Sequence, residues 1–133
     1  MTKQKIRILI PLSIVLGVLT YCWGLILLNE VVATWRHYVG LILFLPLMIL
    51  FFKKIAATTV LTGVFLLVAT FNGLAITPAI TTSWVGIGPI STPPVQLLSF
   101  GLLILYGILN MDSLFDIYLD YKEKKQKSLT VQN

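Results

Sequence analysis

An all-α integral membrane protein, a four-transmembrane-helix bundle with both termini on the cytoplasmic side, is the fold class that this sequence predicts. Three observations lead to it. Of 133 residues, 57% are hydrophobic and only 11% charged, and the mean hydropathy is +0.92. A soluble domain carries about a quarter of its residues as charges, so this chain lacks a water-compatible surface and the bilayer must act as its solvent. Apolar runs recur four times, each near the ~20 helical residues that cross a core of about 30 Å. The third observation is the placement of the ten Lys and Arg residues. Lys3, Lys5 and Arg7 precede the first run, Lys53 and Lys54 separate the second from the third, and Lys122, Lys124, Lys125 and Lys127 come after the fourth. Only Arg36 falls on the other side. Basic residues gathered on one side mark the cytoplasmic rim.

The whole chain, 1–133, reads as one transmembrane domain, with helices over about 8–28, 31–52, 55–76 and 95–118 and a cytoplasmic tail over 119–133. The first run opens on basic residues as a signal peptide would. Its apolar part continues to Leu28, longer than an h-region, and Tyr21 is too large for the residue preceding a lipoprotein cysteine. It is expected to be retained. The uncharged part of the second run, Tyr38 to Phe52, is short of the core, so the helix is extended back through Val31 with Arg36 snorkelling to the outer interface. Asn29-Glu30 then makes a tight turn, and Pro46 should kink the helix. The third run is ended by Thr77-Pro78. The fourth is entered from Pro93-Pro94 and turns acidic after Met111.

Helix pairing in lipid relies on small residues that let backbones approach. Ser13, Gly17, Thr20 and Gly24 form such a line on the first helix, and Thr59, Gly63, Thr70 and Gly73 form one on the third. Both lines repeat every three to four residues, with Leu66 filling the gap in the second, which predicts that helices one and three meet along them. On the fourth helix, Ser99, Tyr106, Asn110 and Ser113 share a face that should point into the bundle. Asp112, Asp116 and Asp120 form a second, offset line at the inner end. Arg7, Lys53 and Lys54 are the cations expected within reach, so Asp112 and Asp116 tie the inner ends together, form a cation or proton site, or stand as solvated acids.

The 18-residue connection Thr77–Pro94 carries no charge. Within it, Val85-Gly86-Ile87-Gly88 differs by one residue from the V-G-Y-G core of a potassium filter. The filter's leading Thr is replaced by Trp84, its trailing Asp by Pro89, and there is no room for a pore helix of about a dozen residues. The stretch reads instead as a Gly/Pro-rich outer loop, with Trp84 at the headgroup level and Trp84, Gly86 and Gly88 available for contacts.

Chemistry is sparse. Cys22 is the only cysteine and His37 the only histidine, so neither a metal centre nor a haem is expected, and no cofactor is implied. No nucleophile has a base beside it, so an enzyme is not expected. The +5 net charge is accounted for by anionic headgroups at the cytoplasmic rim rather than nucleic acid. The reading is a non-enzymatic polytopic protein of a cell membrane, of bacterial cytoplasmic type, that acts through helix and loop contacts with a protein partner or as a homo-oligomer. The alternative is a small oligomeric channel or transporter protomer with its path between subunits, using Asn72 and Asn110 within the span, Asp112 and Asp116 at the inner mouth, and Gly86 and Gly88 outside. A weaker alternative is lipid binding through the basic rim.

Overall fold

The computed structural model describes residues 3–78, 82–83, 86–87, 90–91 and 95–130. Four helices make up most of it: α1 (Lys3–Leu27), α2 (Trp35–Lys53), α3 (Ile55–Thr70) and α4 (Leu97–Thr130). The chain is all-α in class apart from two short ladders. α1, α2 and α4 are long and apolar enough to cross a membrane, whereas α3 has only 16 residues, about 24 Å at 1.5 Å per residue. The start of α1, the α2–α3 corner and the acidic part of α4 share one end of the bundle, here termed basal. The connections 28–34 and 71–96 lie at the other, apical end.

α1 begins at Lys3 rather than near residue 8, and three further boundaries depart from expectation. α2 begins at Trp35 rather than Val31, because Asn29 and Thr34 leave nothing helical between them. Asn29 takes φ 59°, a left-handed conformation that Asn tolerates better than most residues. Glu30 N–H then bonds Leu25 O at 3.0 Å and Asn29 N–H bonds Ile26 O at 3.1 Å, which is the Schellman pattern that ends α1. α3 stops at Thr70 rather than Ile76 for the same reason. Asn72 has φ 63°, with Asn72 N–H on Ala69 O at 3.1 Å and Gly73 N–H on Val68 O at 2.9 Å. The third departure is the end of the fourth helix, which runs to Thr130 rather than stopping near residue 118. Lys, Glu and Gln are good helix formers and nothing in 119–130 breaks the run.

The helices pack in the order α1–α4–α3–α2, with a slighter approach of α1 to α3. The backbones of α1 and α2, consecutive in the chain, hardly approach one another. This corrects the expected pairing of α1 with α3 along small residues. The face that α1 buries is Ile8, Pro11, Leu12, Val15, Leu19 and Cys22, spaced by three and four as a buried helical stripe must be. Ser13, Gly17 and Thr20 are exposed, and a Cβ added at Gly17 or Gly24 would meet nothing within 4 Å. Branched side chains offer more atoms for dispersion contact than glycines do. The α3 line does face inward, but toward α4. A Cβ on Gly63 would lie 3.2 Å from Tyr106 Cε1, so the missing side chain is what admits the Tyr106 ring. Buried Thr58, Thr59, Thr62 and Thr70 satisfy their own hydroxyls by donating to the carbonyl four residues back, at 2.8–3.0 Å.

Pro46 lies inside α2 without ending it. It lines, with Leu43, Leu47, Leu50, Leu61, Val64, Phe65 and Val68, a cavity of about 170 Å³ between α2 and α3. The connection to α4 holds two antiparallel ladders. Thr82–Ser83 (β1) pairs with Val95–Gln96 (β4), and Gly86–Ile87 (β2) pairs with Ile90–Ser91 (β3). The registers of the two ladders differ by one residue. Gly86 thus has its backbone in a hairpin ladder, not in a filter turn. Trp84 and Gly88 lie outside the described residues.

Candidate functional site

Polar chemistry gathers at two places, one at each end of the bundle. The apical place is built on the segment just beyond the early end of α3. Leu74, Ala75 and Ile76 are fully buried without being helical, so their backbone groups need partners that a helix would have supplied. Ala75 N–H donates to Arg36 O at 3.1 Å. Gln96 Nε2 donates to Asn72 Oδ1 at 2.9 Å and to Leu74 O at 3.0 Å, while Ser99 Oγ donates to Gln96 Oε1 at 3.2 Å. His37 completes the set. Its Nδ1 accepts from Thr34 N–H at 3.0 Å, which makes Nε2 the protonated nitrogen, and Nε2–H donates to Thr77 O at 3.1 Å. The ring also fills, at N3 of α2, the place that Glu or Gln takes in a capping box. His37 is 2% exposed, so it is a buried clasp rather than the interfacial residue its neighbour Arg36 suggests. Sequence reasoning missed Gln96 altogether. A lone Gln after Pro-Pro at a helix entry carries no periodic signal.

The basal place is a cleft of about 400 Å³ between the first two turns of α1 and the distal half of α4, with Ala56 of α3 at its edge. α1 contributes Lys3, Gln4 and Arg7. α4 contributes Asp112, Ser113, Asp116, Ile117 and Asp120. The positions 3 and 7, and 112, 116 and 120, are each four apart, so each set lies along one helix face. Arg7 Nη1 donates to Asp112 Oδ2 at 3.1 Å, with the two side chains 42% and 81% exposed. A pair so open to water contributes at most about 1 kcal/mol. Deeper, Asn110 is completely buried and donates from Nδ2 to Tyr106 O at 3.2 Å and, at 3.4 Å, to Arg7 O. Tyr106 in turn donates its hydroxyl to Thr59 O. The polar seam expected on α4 therefore faces inward along its length, with Ser99, Tyr106, Asn110 and Ser113 all buried.

Two buried polar atoms are without partners among the described residues, Asn110 Oδ1 and Trp23 Nε1. Trp23 meets the edge of Tyr38 at 5.3 Å between centroids and 74° between planes. That ring pair joins α1 to α2 beside an apolar groove of about 600 Å³ lined by Leu16, Thr20, Gly24, Leu41 and Phe44, among others.

The expected site residues are thus divided between the ends. Arg7, Asn110, Asp112 and Asp116 converge basally. Asn72 belongs to the apical network, about 20 Å away along α4 from Gln96 to Asn110 at 1.5 Å per residue. Lys54 sits exposed at the α2–α3 corner, where it is the C-cap of one helix and the N-cap of the next, outside the cleft lining. Among the described residues no three His, Cys, Asp or Glu side chains converge as metal ligands would. Compared with family models, with curated proteins and with solved structures, the chain finds no match.

Proposed function

We propose that this chain is a non-enzymatic four-pass protein of a cell membrane, of bacterial cytoplasmic type, with both termini in the cytoplasm, and that it works by receiving a transmembrane helix of a partner. One observation carries the reading. The Ser13, Gly17, Thr20 and Gly24 line of α1 is a helix-packing face, and among the described residues nothing packs on its glycines. It borders the groove that α1 and α2 leave between them, to which Thr20 and Gly24 contribute directly. Small residues on a lipid-facing helix confer no advantage toward acyl chains but allow another backbone to approach. The cationic residues at the basal end support the orientation, and the charged lining of the basal cleft matches a headgroup-level position. α3, at about 24 Å, crosses with the help of the non-helical segment Leu74–Ile76, which is permitted at that depth because it is buried in protein.

The test uses tagged full-length protein extracted gently from its native membrane. A stoichiometric partner, or a second copy, should accompany the wild type. Gly17→Leu and Gly24→Leu should release it while leaving helical content unchanged, since neither Cβ has a neighbour to displace. Partner-free, monodisperse wild-type protein would remove the reading.

A further inference from the structure

We propose that the basal cleft binds the headgroup of a zwitterionic phospholipid carrying a primary ammonium, of the phosphoethanolamine type. The proposal rests on the membrane reading, which puts the cleft at the depth of lipid headgroups.

The cleft has walls of opposite sign. Lys3 and Arg7 stand on α1, and Asp112, Asp116 and Asp120 on α4. Arg7 and Asp112 pair with each other, which leaves Lys3 on one wall and Asp116 and Asp120 on the other for a ligand. A simple cation would satisfy only the α4 wall and face Lys3. A simple anion would satisfy Lys3 and face two carboxylates. A ligand that presents phosphate to Lys3 and ammonium to Asp116 and Asp120 meets both, and each contact is a charge-assisted hydrogen bond. The volume of about 400 Å³ accommodates such a headgroup. A metal ion does not fit, since the acids at 112, 116 and 120 do not converge as ligands among the described residues.

One further feature points to an amphiphile rather than a free zwitterion. Met111, Phe115 and Leu119 are 71%, 62% and 42% exposed and run beside the acidic line, one position ahead of each Asp. They give acyl chains an apolar track that begins at the cleft wall. Asn110, one turn inward from Ser113 and bonded to the Arg7 carbonyl, keeps a buried Oδ1 without a donor. Asn110 is not itself part of the cleft lining; it braces the wall by holding the backbone of Arg7, which is.

Purified full-length protein in micelles, given equal amounts of phosphatidylethanolamine, phosphatidylcholine and phosphatidylglycerol of one acyl composition, is read by native mass spectrometry. Phosphatidylethanolamine should be retained about tenfold over phosphatidylglycerol. It should also exceed phosphatidylcholine, whose quaternary ammonium donates no hydrogen bond. Asp116→Asn with Asp120→Asn should abolish the preference, and Lys3→Gln should lower retention of both zwitterionic lipids. Equal retention of all three lipids by the wild type, or a preference for phosphatidylglycerol, overturns the proposal. So does a folded double variant that keeps the preference. Should the double variant lose helicity, the wild-type lipid ranking decides alone. Displacement of the lipid by an equal concentration of free phosphoethanolamine would overturn the lipid as occupant in favour of a soluble zwitterion. Carbonate extraction of the membrane is run in parallel. Protein that stays in the pellet without lipid preference sinks this inference alone, and protein that leaves the pellet sinks the membrane reading.

Discussion

His37 and Thr77 stand 40 positions apart, yet the ring Nε2 lies 3.1 Å from the Thr77 carbonyl oxygen. With Nδ1 on Thr34, one imidazole fastens the connection after α1 to the connection after α3. Each of those connections starts from a left-handed Asn, Asn29 or Asn72, five residues before its Thr. The two halves of the chain therefore end their odd-numbered helices by the same device, and His37 ties the two devices together.

Removing the ring should loosen the segment it holds. In His37→Ala, the Thr77 carbonyl loses the imidazole donor and a cavity opens at a buried position, at a cost of about 2–4 kcal/mol. Amide exchange at Ala75, whose N–H bonds Arg36 O, is expected to quicken by at least about tenfold. Hydrogen exchange with mass spectrometry on peptides spanning 72–78 reads it directly, and unchanged protection there would deny the clasp.

Glycines 40 and 17 should respond oppositely to alanine. A Cβ at Gly40 would come 2.6 Å from Ala75 O, so Gly40→Ala must push the buried segment off α2, costing about 1–3 kcal/mol. A Cβ at Gly17 meets nothing within 4 Å, and Gly17→Ala should gain up to about 1 kcal/mol of helix propensity. Unfolding in mixed micelles, followed by circular dichroism, gives both values on one scale.

Tyr106 joins α4 to α3 through its hydroxyl and through the slot left by Gly63. Tyr106→Phe should cost about 1 kcal/mol, the net worth of one hydrogen bond. Gly63→Leu fills the slot itself and should cost more, at least about 2 kcal/mol. If the two variants unfolded alike, the ring would not be seated there.

Asn110 separates shape from charge. Asn110→Leu removes an amide with one unpaired atom and should change stability by less than about 1.5 kcal/mol. Asn110→Asp places a carboxylate where no cation is bonded to it and should destabilise by about 3 kcal/mol or more at pH 8, with recovery as the acid is protonated at low pH. At the exposed pair nearby, Asp112→Asn should shift stability by no more than about 1 kcal/mol, and less in high salt. The same unfolding assay across pH and salt distinguishes these cases.

Which features are legible in the residues depends on which interactions are local. The number of helices, the cores of all four, the inward seam of α4 and the nearness of Arg7 to Asp112 can all be read. Apolar content, the period of a helix and spacing along it are properties of neighbouring residues. The fold class carries through at the level of an all-α bundle with three long apolar helices. Helix ends are less readable, because a left-handed Asn looks like any other Asn until its carbonyl partners are placed. The pairing of α1 with α4 escapes a reading from small residues. They mark a face that can be approached, without saying whether this chain or another molecule approaches it.

Composition and a 3.6-residue period are enough to make four apolar segments helical, to collect charge at one end, and to turn Ser99, Tyr106, Asn110 and Ser113 of α4 inward. Those outcomes need nothing from distant parts of the chain. The packed molecule had to settle that α3 stops at Thr70 and that Leu74–Ile76 is buried without being helical. Packing also set Gln96 and His37 to satisfy the segment's neighbours, and left the glycine face of α1 open. Buried backbone off a helix is tolerable only when donors and acceptors from remote positions arrive together, and no local pattern can announce that arrival.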